Sequence, residues 1–300
     1  MVDDLQIALR PRHTQNMMTL QIAGGAARAA PAFRFFSKGG TIMPAPLGSF
    51  VWYEYMAADA KAAADFYAAV VGWTASAGDM TDFPYTLLSA GPRAVAGLMT
   101  LPEEARRMGA RPGWLGYVGV PDVDAFAAKI AAAGGKVHRA PAEIPTVGRF
   151  AVVGDPNGAA FVIFKGEPAE DPRPPLAPNA SGNVGWRELR AGELEAAFAF
   201  YSGLFGWKKT REMDMGPMGP YQLFEVDGGQ GGGMMTKPAE SPAPFWLYYF
   251  NVDAIDAAAE RVKSAGGRLV SGPHEVPGGG WVVRALDPQG ATFALLAPGR

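Results

Sequence analysis

Short apolar segments separated by turn residues follow one another along most of the chain. Residues 50–56 are rich in aromatic side chains, which favours a strand. Asp59 is a suitable N-cap for the helix that follows, and Gly72 ends that helix where a left-handed residue is favoured. The apolar face of this helix consists of Ala63, Phe66, Tyr67 and Val70. Strands are predicted next around residues 86–89 and 95–100.

The same order of elements then begins again. A strand is predicted over residues 114–120 and a helix over residues 122–133, which ends at Gly134-Gly135. Strands around residues 150–153 and 159–165 are joined by the turn Asp155-Pro156-Asn157-Gly158. The pattern therefore predicts an α+β fold built from two βαβββ modules.

The whole pattern is duplicated. The segments WYEYMAADAKAAADFYAAVVGW and WRELRAGELEAAFAFYSGLFGW match without a gap and begin at Trp52 and Trp186, an offset of 186 − 52 = 134 residues. Trp114-Leu115-x-Tyr117 matches Trp246-Leu247-x-Tyr249, and the D-P-x-G-A turns at 155–159 and 287–291 also correspond. Two copies are too few for an open solenoid, so we expect two tandem domains with four modules in all.

Composition shifts divide the chain further. Domains are predicted over residues 47–166 and 184–298, with a proline-rich linker at 167–183. Residues 1–43 do not resemble either copy, and an amphipathic transit peptide is one interpretation of them. We favour another: Lys38-Gly39-Gly40 back-translates to AAAGGAGG shortly before Met43, which indicates a bacterial ribosome-binding site and a natural start at Met43. The two tandem copies predict either a monomer with two pseudo-symmetric domains or a homodimer.

The charge balance restricts the classes of partner. Hydrophobic residues make up 48% of the chain and charged residues 19%, and the net charge is −2. Without a basic stripe or a polybasic segment, we expect neither nucleic acid nor a membrane as partner. The chain has no cysteine and three histidines, which excludes thiolate chemistry, makes sites with several imidazoles implausible and favours a cytoplasmic location.

The repeated motifs resemble those of the vicinal oxygen chelate superfamily, which includes glyoxalase I, bleomycin and fosfomycin resistance proteins and extradiol dioxygenases. The motifs that carry the resemblance are D-x(6)-FY-x(4)-GW at 59–73, VPDVDAFAAKIAAAGG at 120–135 and DPNGAAFVIF at 155–164, with counterparts in the second copy. The chain looks most similar to the tandem-domain group related to lactoylglutathione lyase. The resemblance covers nearly all of residues 47–298 and implies paired βαβββ modules that form a cupped, partly open β-barrel.

The resemblance also implies three positions for metal ligands in each domain. The first-strand position holds Trp52 or Trp186, and the last-strand position holds Val162 or Ala294. The fifth-strand position holds Leu115 and Leu247, or Trp114 and Trp246 if the register slips by one residue. None of these side chains supplies the imidazole nitrogen or carboxylate oxygen that a divalent cation prefers. We therefore predict no metal and no cofactor, which argues against metal-dependent glyoxalase, dioxygenase or fosfomycin-transferase chemistry.

Glu54 and Glu188 are the candidate catalytic residues. Each lies two residues after a tryptophan on its strand and so shares its face. A carboxylate in an apolar cup has a raised pKa that suits proton transfer unless a cation pairs with it. The alternative is a structural glutamate bonded to Arg149, Arg187 or backbone amides.

Aromatic side chains at the start of the modules are candidates for binding a ligand. Such residues either wall a cavity that stacks a flat molecule or pack in the core. The candidate ligand-binding residues are Trp52, Trp114, Tyr117, Arg149, Val162, Trp186, Tyr221, Trp246, Tyr249 and Trp281. The glycines at 228–229 and 231–233 are predicted to form a flexible hairpin turn.

Three classes of function remain open at this point. The first is metal-independent binding of a small molecule, which one acid and several aromatic rings per cup make suitable for a flat or cationic ligand. The second is a lyase or isomerase that uses Glu54 or Glu188 as general base, or a metal held by other ligands. The third is a scaffold without a ligand.

Overall fold

The computed structural model describes residues 46–78, 83–167 and 176–300. The predicted N-terminal extension, including Met43, lies outside the described residues, as does much of the predicted linker. The proposed start at Met43 is therefore not addressed by the structure. Within the described ranges, no helix is long and apolar enough to cross a membrane.

The described residues of the first copy form eight strands and three helices. In chain order they are β1 (Phe50–Ala57), α1 (Ala60–Val71), β2 (Thr74–Ala77), β3 (Tyr85–Ala90), β4 (Arg93–Thr100), α2 (Glu103–Arg107), β5 (Gly113–Gly119), α3 (Val123–Ala132), β6 (Lys136–Ile144), β7 (Gly148–Gly154) and β8 (Ala160–Gly166). The predicted βαβββ order required strands at the places of β2 and β6, but the sequence pattern gave no residue range for either, and it did not predict the short helix α2. All four residues of β2 are exposed, so no apolar alternation marks this strand.

The second copy repeats this order without the short helix. Its elements are β9 (Val184–Ala191), α4 (Leu194–Phe205), β10 (Lys208–Asp214), β11 (Pro220–Val226), β12 (Gly229–Thr236), β13 (Phe245–Asn251), α5 (Ile255–Ser264), β14 (Arg268–Val276), β15 (Gly280–Leu286) and β16 (Thr292–Ala297).

Each copy forms one eight-stranded sheet. The strand order is β2-β3-β4-β1-β5-β8-β7-β6 in the first sheet and β10-β11-β12-β9-β13-β16-β15-β14 in the second. The two modules of a copy join through β1 and β5, or β9 and β13, which pair antiparallel. The first and last strands of each order do not pair with each other, so both barrels stay open. The predicted α+β fold of two cupped, partly open barrels is confirmed.

Local signals position the first helix of each copy. The Asp59 carboxylate accepts a hydrogen bond from the Ala62 backbone N–H, and Gly72 ends α1 with φ 88°. In the second copy Glu193 takes the N-cap position and accepts from the backbone N–H groups of Glu195 and Ala196. Gly206 then ends α4 with φ 70°.

The glycines at 231–233 lie inside strand β12 and not in a hairpin turn, so that prediction was wrong. The turn itself involves Asp227 and Gly228, both with positive φ. A Cβ atom at residue 232 would lie 2.3 Å from the Arg187 carbonyl oxygen. The run of glycines therefore reflects the close approach of other atoms to the strand and not flexibility.

The helices of both copies pack into one shared apolar core between the two sheets. The contacts that join the halves are reciprocal: Trp73 Nε1 donates to the Gly182 carbonyl at 2.7 Å, and Trp207 Nε1 donates to the Gly48 carbonyl at 3.0 Å. The Tyr67 hydroxyl donates to Asp287 Oδ2 of the second copy at 3.0 Å. The helix-facing side of each sheet therefore faces the shared core, and side chains on the opposite face of each sheet form separate clusters.

Candidate functional site

Strand register places the first-copy candidates on the face of the sheet that points away from the helices. Trp52 pairs with Tyr117, which in turn pairs with Val162, so three of the predicted residues form one row. Glu54 lies two residues along β1 from Trp52, on the same face. We call this face cup 1.

The second copy places its counterparts in the same way. Trp186 pairs with Tyr249 and Tyr249 with Ala294, while Glu188 pairs with Leu247. We call this face cup 2. The row therefore recurs in both sheets, with a smaller side chain on the last strand of cup 2.

A hydrogen-bonded chain of four side chains is centred on Glu54. Glu54 is only 4% exposed. The Tyr85 hydroxyl donates to its Oε2 and the Tyr117 hydroxyl donates to its Oε1, both at 3.0 Å. Trp52 Nε1 donates in turn to the Tyr85 hydroxyl oxygen at 3.1 Å. The carboxyl group is therefore held by two phenols, one of which is oriented by an indole.

Glu188 has the same arrangement in cup 2 and is also 4% exposed. The hydroxyls of Tyr221 and Tyr249 both donate to Glu188 Oε2 at 3.0 Å. Trp186 Nε1 donates to the Tyr221 hydroxyl oxygen at 2.7 Å. The repeat has thus kept the whole Trp-Tyr-Glu-Tyr network and not the glutamate alone.

A glycine beside each glutamate makes room for the network. Gly97 on β4 pairs with Glu54, and Gly233 on β12 pairs with Glu188. A Cβ atom at residue 97 would lie 1.7 Å from the Tyr85 hydroxyl oxygen, and one at 233 would lie 2.3 Å from the Tyr221 hydroxyl oxygen. Each tyrosine therefore reaches its glutamate across a residue that must lack a side chain.

Sequence reasoning missed Tyr85, although it singled out the equivalent Tyr221. The repeat contains the signal that would have found it. Tyr85 follows Pro84 as Tyr221 follows Pro220, and the segment Gly97-x-Met99-Thr100 corresponds to 233–236. These short matches lie at an offset of 221 − 85 = 136 residues, which differs from the offset of 134 at Trp52 and Trp186 and from that of 246 − 114 = 132 at Trp114 and Trp246.

The two carboxylates differ in their charged neighbours. In cup 2 Arg190 follows two residues after Glu188, and its Nε lies 2.5 Å from Glu188 Oε1. The equivalent residue of cup 1 is Met56, which pairs with Met99. Burial raises the pKa of Glu54, and the Tyr117 and Tyr85 hydroxyls and the charge of Arg139 offset the rise only in part.

The structure brings together eight of the twelve predicted site residues. They are Trp52, Glu54, Tyr117 and Val162 in cup 1 and Trp186, Glu188, Tyr221 and Tyr249 in cup 2. Trp114 and Trp246 lie on the opposite face, because their neighbours Leu115 and Leu247 are the residues that pair with the glutamates. Trp114 Nε1 donates to the Tyr67 hydroxyl and Trp246 Nε1 to the Tyr201 hydroxyl, so both indoles belong to the shared core.

Arg149 and Trp281 also lie away from the cups. The Arg149 guanidinium binds Asp124 and Glu143, so it is not the partner of Glu54. Trp281 packs against the shared core beneath the Arg300 guanidinium. The alternative partner Arg187 donates to the Tyr53 hydroxyl at the junction of the two halves.

The side chains at the implied metal positions do not fit a divalent cation. Trp52, Leu115 and Val162 supply no ligand atom in cup 1, and both oxygens of Glu54 already accept hydrogen bonds from tyrosines. Across the described ranges, no group of three histidine, cysteine, aspartate or glutamate side chains is placed to hold a metal.

Comparison with known proteins agrees with this architecture. The profile of the glyoxalase/bleomycin resistance protein/dioxygenase superfamily matches residues 49–163 and 183–295. "Putative glyoxylase CFP32" of Mycobacterium tuberculosis is 30% identical over 252 residues, which cover 82% of this chain and 94% of that protein. "Anthracycline biosynthesis protein DnrV" of Streptomyces peucetius is 30% identical over 265 residues, 83% of this chain and 93% of the relative.

Solved structures share the fold at low sequence identity. The Mn(II)-bound glyoxalase from Novosphingobium aromaticivorans superposes with a TM-score of 0.57 at 18% identity, covering 85% of this chain and 83% of that chain. The 2,2',3-trihydroxybiphenyl 1,2-dioxygenase from Sphingomonas wittichii gives 0.59 at 12% identity, with 84% and 90% covered. The two matched domains and the full-length relatives show that this chain belongs to the glyoxalase/bleomycin resistance protein/dioxygenase superfamily.

Proposed function

We propose that this protein binds a small, flat molecule in its cups without using a metal. The observation that carries the proposal is the Trp-Tyr-Glu-Tyr network, which is present in both copies. Its tryptophan stands at one of the positions where the family resemblance implies a metal ligand, and the network adds a buried acid and two tyrosines on the same face. Aromatic walls with a few fixed polar groups are typical of sites for small molecules.

The charge of cup 1 favours a cation or a hydrogen-bond donor as ligand. Glu54 is buried, and the charge of Arg139 acts on it only from beyond ion-pair distance, since Glu54 forms no ion pair in the described ranges. Burying an unpaired carboxylate is costly, so a ligand that brings a positive charge would relieve that cost. The indole of Trp52 lies half-buried on the same face of the sheet as Glu54.

The name of one relative also supports a flat aromatic ligand. The Streptomyces protein is named for the biosynthesis of anthracyclines, which are flat polycyclic aromatic compounds. A cup lined by tryptophan and tyrosine suits a ligand of that general shape. The proposal for this chain extends to flat aromatic molecules as a class and not to a particular compound.

Three probes that share one ring system but differ in charge test the proposal. Isothermal titration would compare 2-naphthylmethylamine, 2-naphthamide and 2-naphthoate, each with and without EDTA. We expect the amine and the amide each to bind wild type with the same affinity in the presence of EDTA as in its absence. Glu54→Gln should weaken the amine by about tenfold and leave the amide unchanged, because only the amine uses the negative charge. Failure of both the amine and the amide to bind would refute the proposal.

A lyase or isomerase that uses Glu54 as general base is a second candidate. The observation that favours it is the raised pKa of Glu54, which burial causes and which makes the carboxyl group a stronger base than an exposed one. A flat ketone such as 2-tetralone would exchange its acidic C–H protons in D₂O faster with the protein than without it. Proton NMR would follow this exchange in wild type and in Glu54→Gln. Equal rates in the two proteins would remove the base from consideration.

A further inference from the structure

The wall of cup 2 differs from that of cup 1 in size and in charge. Four cup 1 residues on β7 and β8 are Phe150, Val152, Val162 and Phe164; the equivalent residues of cup 2 are Val282, Arg284, Ala294 and Leu296. Three of the four changes shorten an apolar side chain, and the fourth introduces a guanidinium. Cup 2 therefore has smaller apolar side chains on β15 and β16, and a cation on β15 where the equivalent strand of cup 1 has a valine.

Register places that cation in the row of the network. Trp186 pairs with Tyr249, Tyr249 with Ala294, and Ala294 with Arg284, so all four side chains face cup 2. The row crosses four adjacent strands, a span of about 14 Å along the sheet. Its floor is the small side chain of Ala294, between the Tyr249 ring and the Arg284 guanidinium.

Arg284 is half-buried and has one polar partner in the described part of the chain. Its Nε donates to Ser271 Oγ at 2.8 Å, and no carboxylate lies at ion-pair distance from it within those ranges. A guanidinium has five N–H donors and no acceptor, so the donors that Ser271 does not use can bind another acceptor. Ser271 fixes the plane of the guanidinium and leaves its two terminal nitrogens for another molecule.

The remaining central charges of cup 2 compensate each other. Glu188 is paired with Arg190, which also donates to Met235 Sδ at 2.8 Å. His274, opposite Val282 on β14, is exposed at the outer end of the sheet. The centre of cup 2 therefore has one excess positive charge, located on Arg284.

We propose that cup 2 binds a flat aromatic anion, with its carboxylate or an equivalent planar anionic group on Arg284 and its ring over Ala294 towards Trp186. A guanidinium matches a carboxylate through two parallel N–H···O bonds, so both the charge and the planarity of the ligand are selected. The two cups then prefer opposite charges, a cation in cup 1 and an anion in cup 2. This inference extends the proposed function, but it rests on residues that the cup 1 proposal does not use.

Titration with 2-naphthoate tests the inference on the full-length protein. We expect wild type to bind it and Arg284→Met to weaken it by about tenfold to a hundredfold, because a charge-assisted hydrogen-bonded pair is lost. The matched control is Arg139→Met, which removes the arginine that lies over the Phe150 ring on the cup 1 side. That control should bind 2-naphthoate as wild type does. Equal affinity of wild type and Arg284→Met, or a loss confined to Arg139→Met, would overturn the inference.

A second variant protects the test against a folding defect. Ala294→Val gives cup 2 the residue that cup 1 has at 162, so the side chain is one that the sheet already accommodates. The added methyl groups occupy the space between Tyr249 and Arg284. Binding of 2-naphthoate should therefore become weaker by about tenfold, while 2-naphthylmethylamine binding in cup 1 stays unchanged. Unchanged binding of 2-naphthoate would again contradict the inference.

The three probes keep this inference separate from the proposed function. If the amine and amide bind and 2-naphthoate does not, the cup 2 inference fails and the proposed function stands. If 2-naphthoate binds through Arg284 and the other two do not, the cup 1 proposal fails and the cup 2 inference stands.

Discussion

Glu54 and Glu188 occupy equivalent positions and accept hydrogen bonds from equivalent tyrosines, yet the charges around them differ. Arg190 is paired with Glu188, whereas Met56 stands at the matching place beside Glu54. In the second copy the buried acid therefore has a counter-charge, whereas in the first copy its direct partners are tyrosines. Substitutions at the two glutamates should have different consequences.

The pH dependence of stability should reveal the Glu54 carboxyl. Burial raises the folded-state pKa of Glu54 above its unfolded value, so between these two values the folded state keeps a proton that the unfolded state releases. The contribution of Glu54 to the stability of the folded state is therefore present in full below its pKa in the unfolded chain. It is lost as the pH rises through its pKa in the folded protein. Urea unfolding of Glu54→Gln and wild type from pH 4 upward should show the variant gaining stability relative to wild type. A difference that does not change with pH would contradict the expected shift.

Glu188→Gln should be destabilising at neutral pH, because it leaves Arg190 buried without its counter-charge. Loss of one partner of a buried ion pair costs about 3–5 kcal/mol. The double variant Glu188→Gln/Arg190→Met gives cup 2 the methionine of cup 1 and should recover most of that loss. Chemical denaturation would measure the stability of wild type and of both variants. Glu54→Gln is the control, because this change leaves no buried cation without its ion-pair partner. Equal stability of the single and double variants would show that Arg190 is not the cause.

The helices of this protein are easier to predict from the sequence than some of its strands. The caps at Asp59 and Gly72 follow rules that act within a few residues, and the structure contains both predicted features. The glycines at 231–233 have no side chains and hence no alternating pattern, so strand β12 looked like a turn. Its glycines are explained only by the atoms that lie over them, among them the Tyr221 ring at Gly233.

Gly97→Ala should disrupt cup 1 through strand β4. The new Cβ atom would lie 1.7 Å from the Tyr85 hydroxyl oxygen, so Tyr85 must move and its bond to Glu54 must break. Overpacking of this kind costs about 1–3 kcal/mol, and we expect weaker binding of 2-naphthylmethylamine as well.

The matched control for Gly97→Ala is Gly203→Ala in helix α4, where nothing lies within 4 Å of the added atom. That change should stabilise the protein by about 0.5–1 kcal/mol, since alanine is the better helix residue. Thermal melting of both variants measures the contrast. If Gly97→Ala were as stable as wild type and bound the amine equally well, Tyr85 would not require a residue without a side chain at position 97.

We expect the two copies to unfold as one unit, because their core is continuous. Helix α1 of the first copy packs against α5 of the second, and the tyrosines of the FY motifs reach across to the aspartates of the opposite D-P turns. The same tyrosines accept from Trp114 and Trp246. Each indole therefore helps to join the halves and is not available to a ligand.

Tyr67→Phe should lower the stability of the whole molecule and not of one half. The change removes the hydrogen bond to Asp287 Oδ2 and leaves Trp114 Nε1 without its acceptor, a loss of about 1–3 kcal/mol. Calorimetry should show one transition that moves to lower temperature. Tyr201→Phe, whose contact with Asp155 is longer at 3.4 Å, is the comparison and should cost less. Two separate transitions, with only one displaced, would argue against a shared core.

The sequence by itself determined the duplication, the order of the modules, the helix caps and the strand face shared by each tryptophan and its glutamate. These features depend on spacing along the chain: a fixed offset, a residue at a cap, or a period of two on a strand. The absence of metal ligands at the implied positions also followed directly from residue types.

Only the tertiary structure decided which residues meet in the cups. Tyr85 joins Glu54 because β3 lies beside β4 and Gly97 leaves a gap, and Arg284 faces Ala294 because β15 pairs with β16 in one particular register. A shift of one residue in that register would turn each of these side chains to the opposite face. Trp114 and Trp246 illustrate the same rule, since their neighbours pair with the glutamates while they themselves face the shared core.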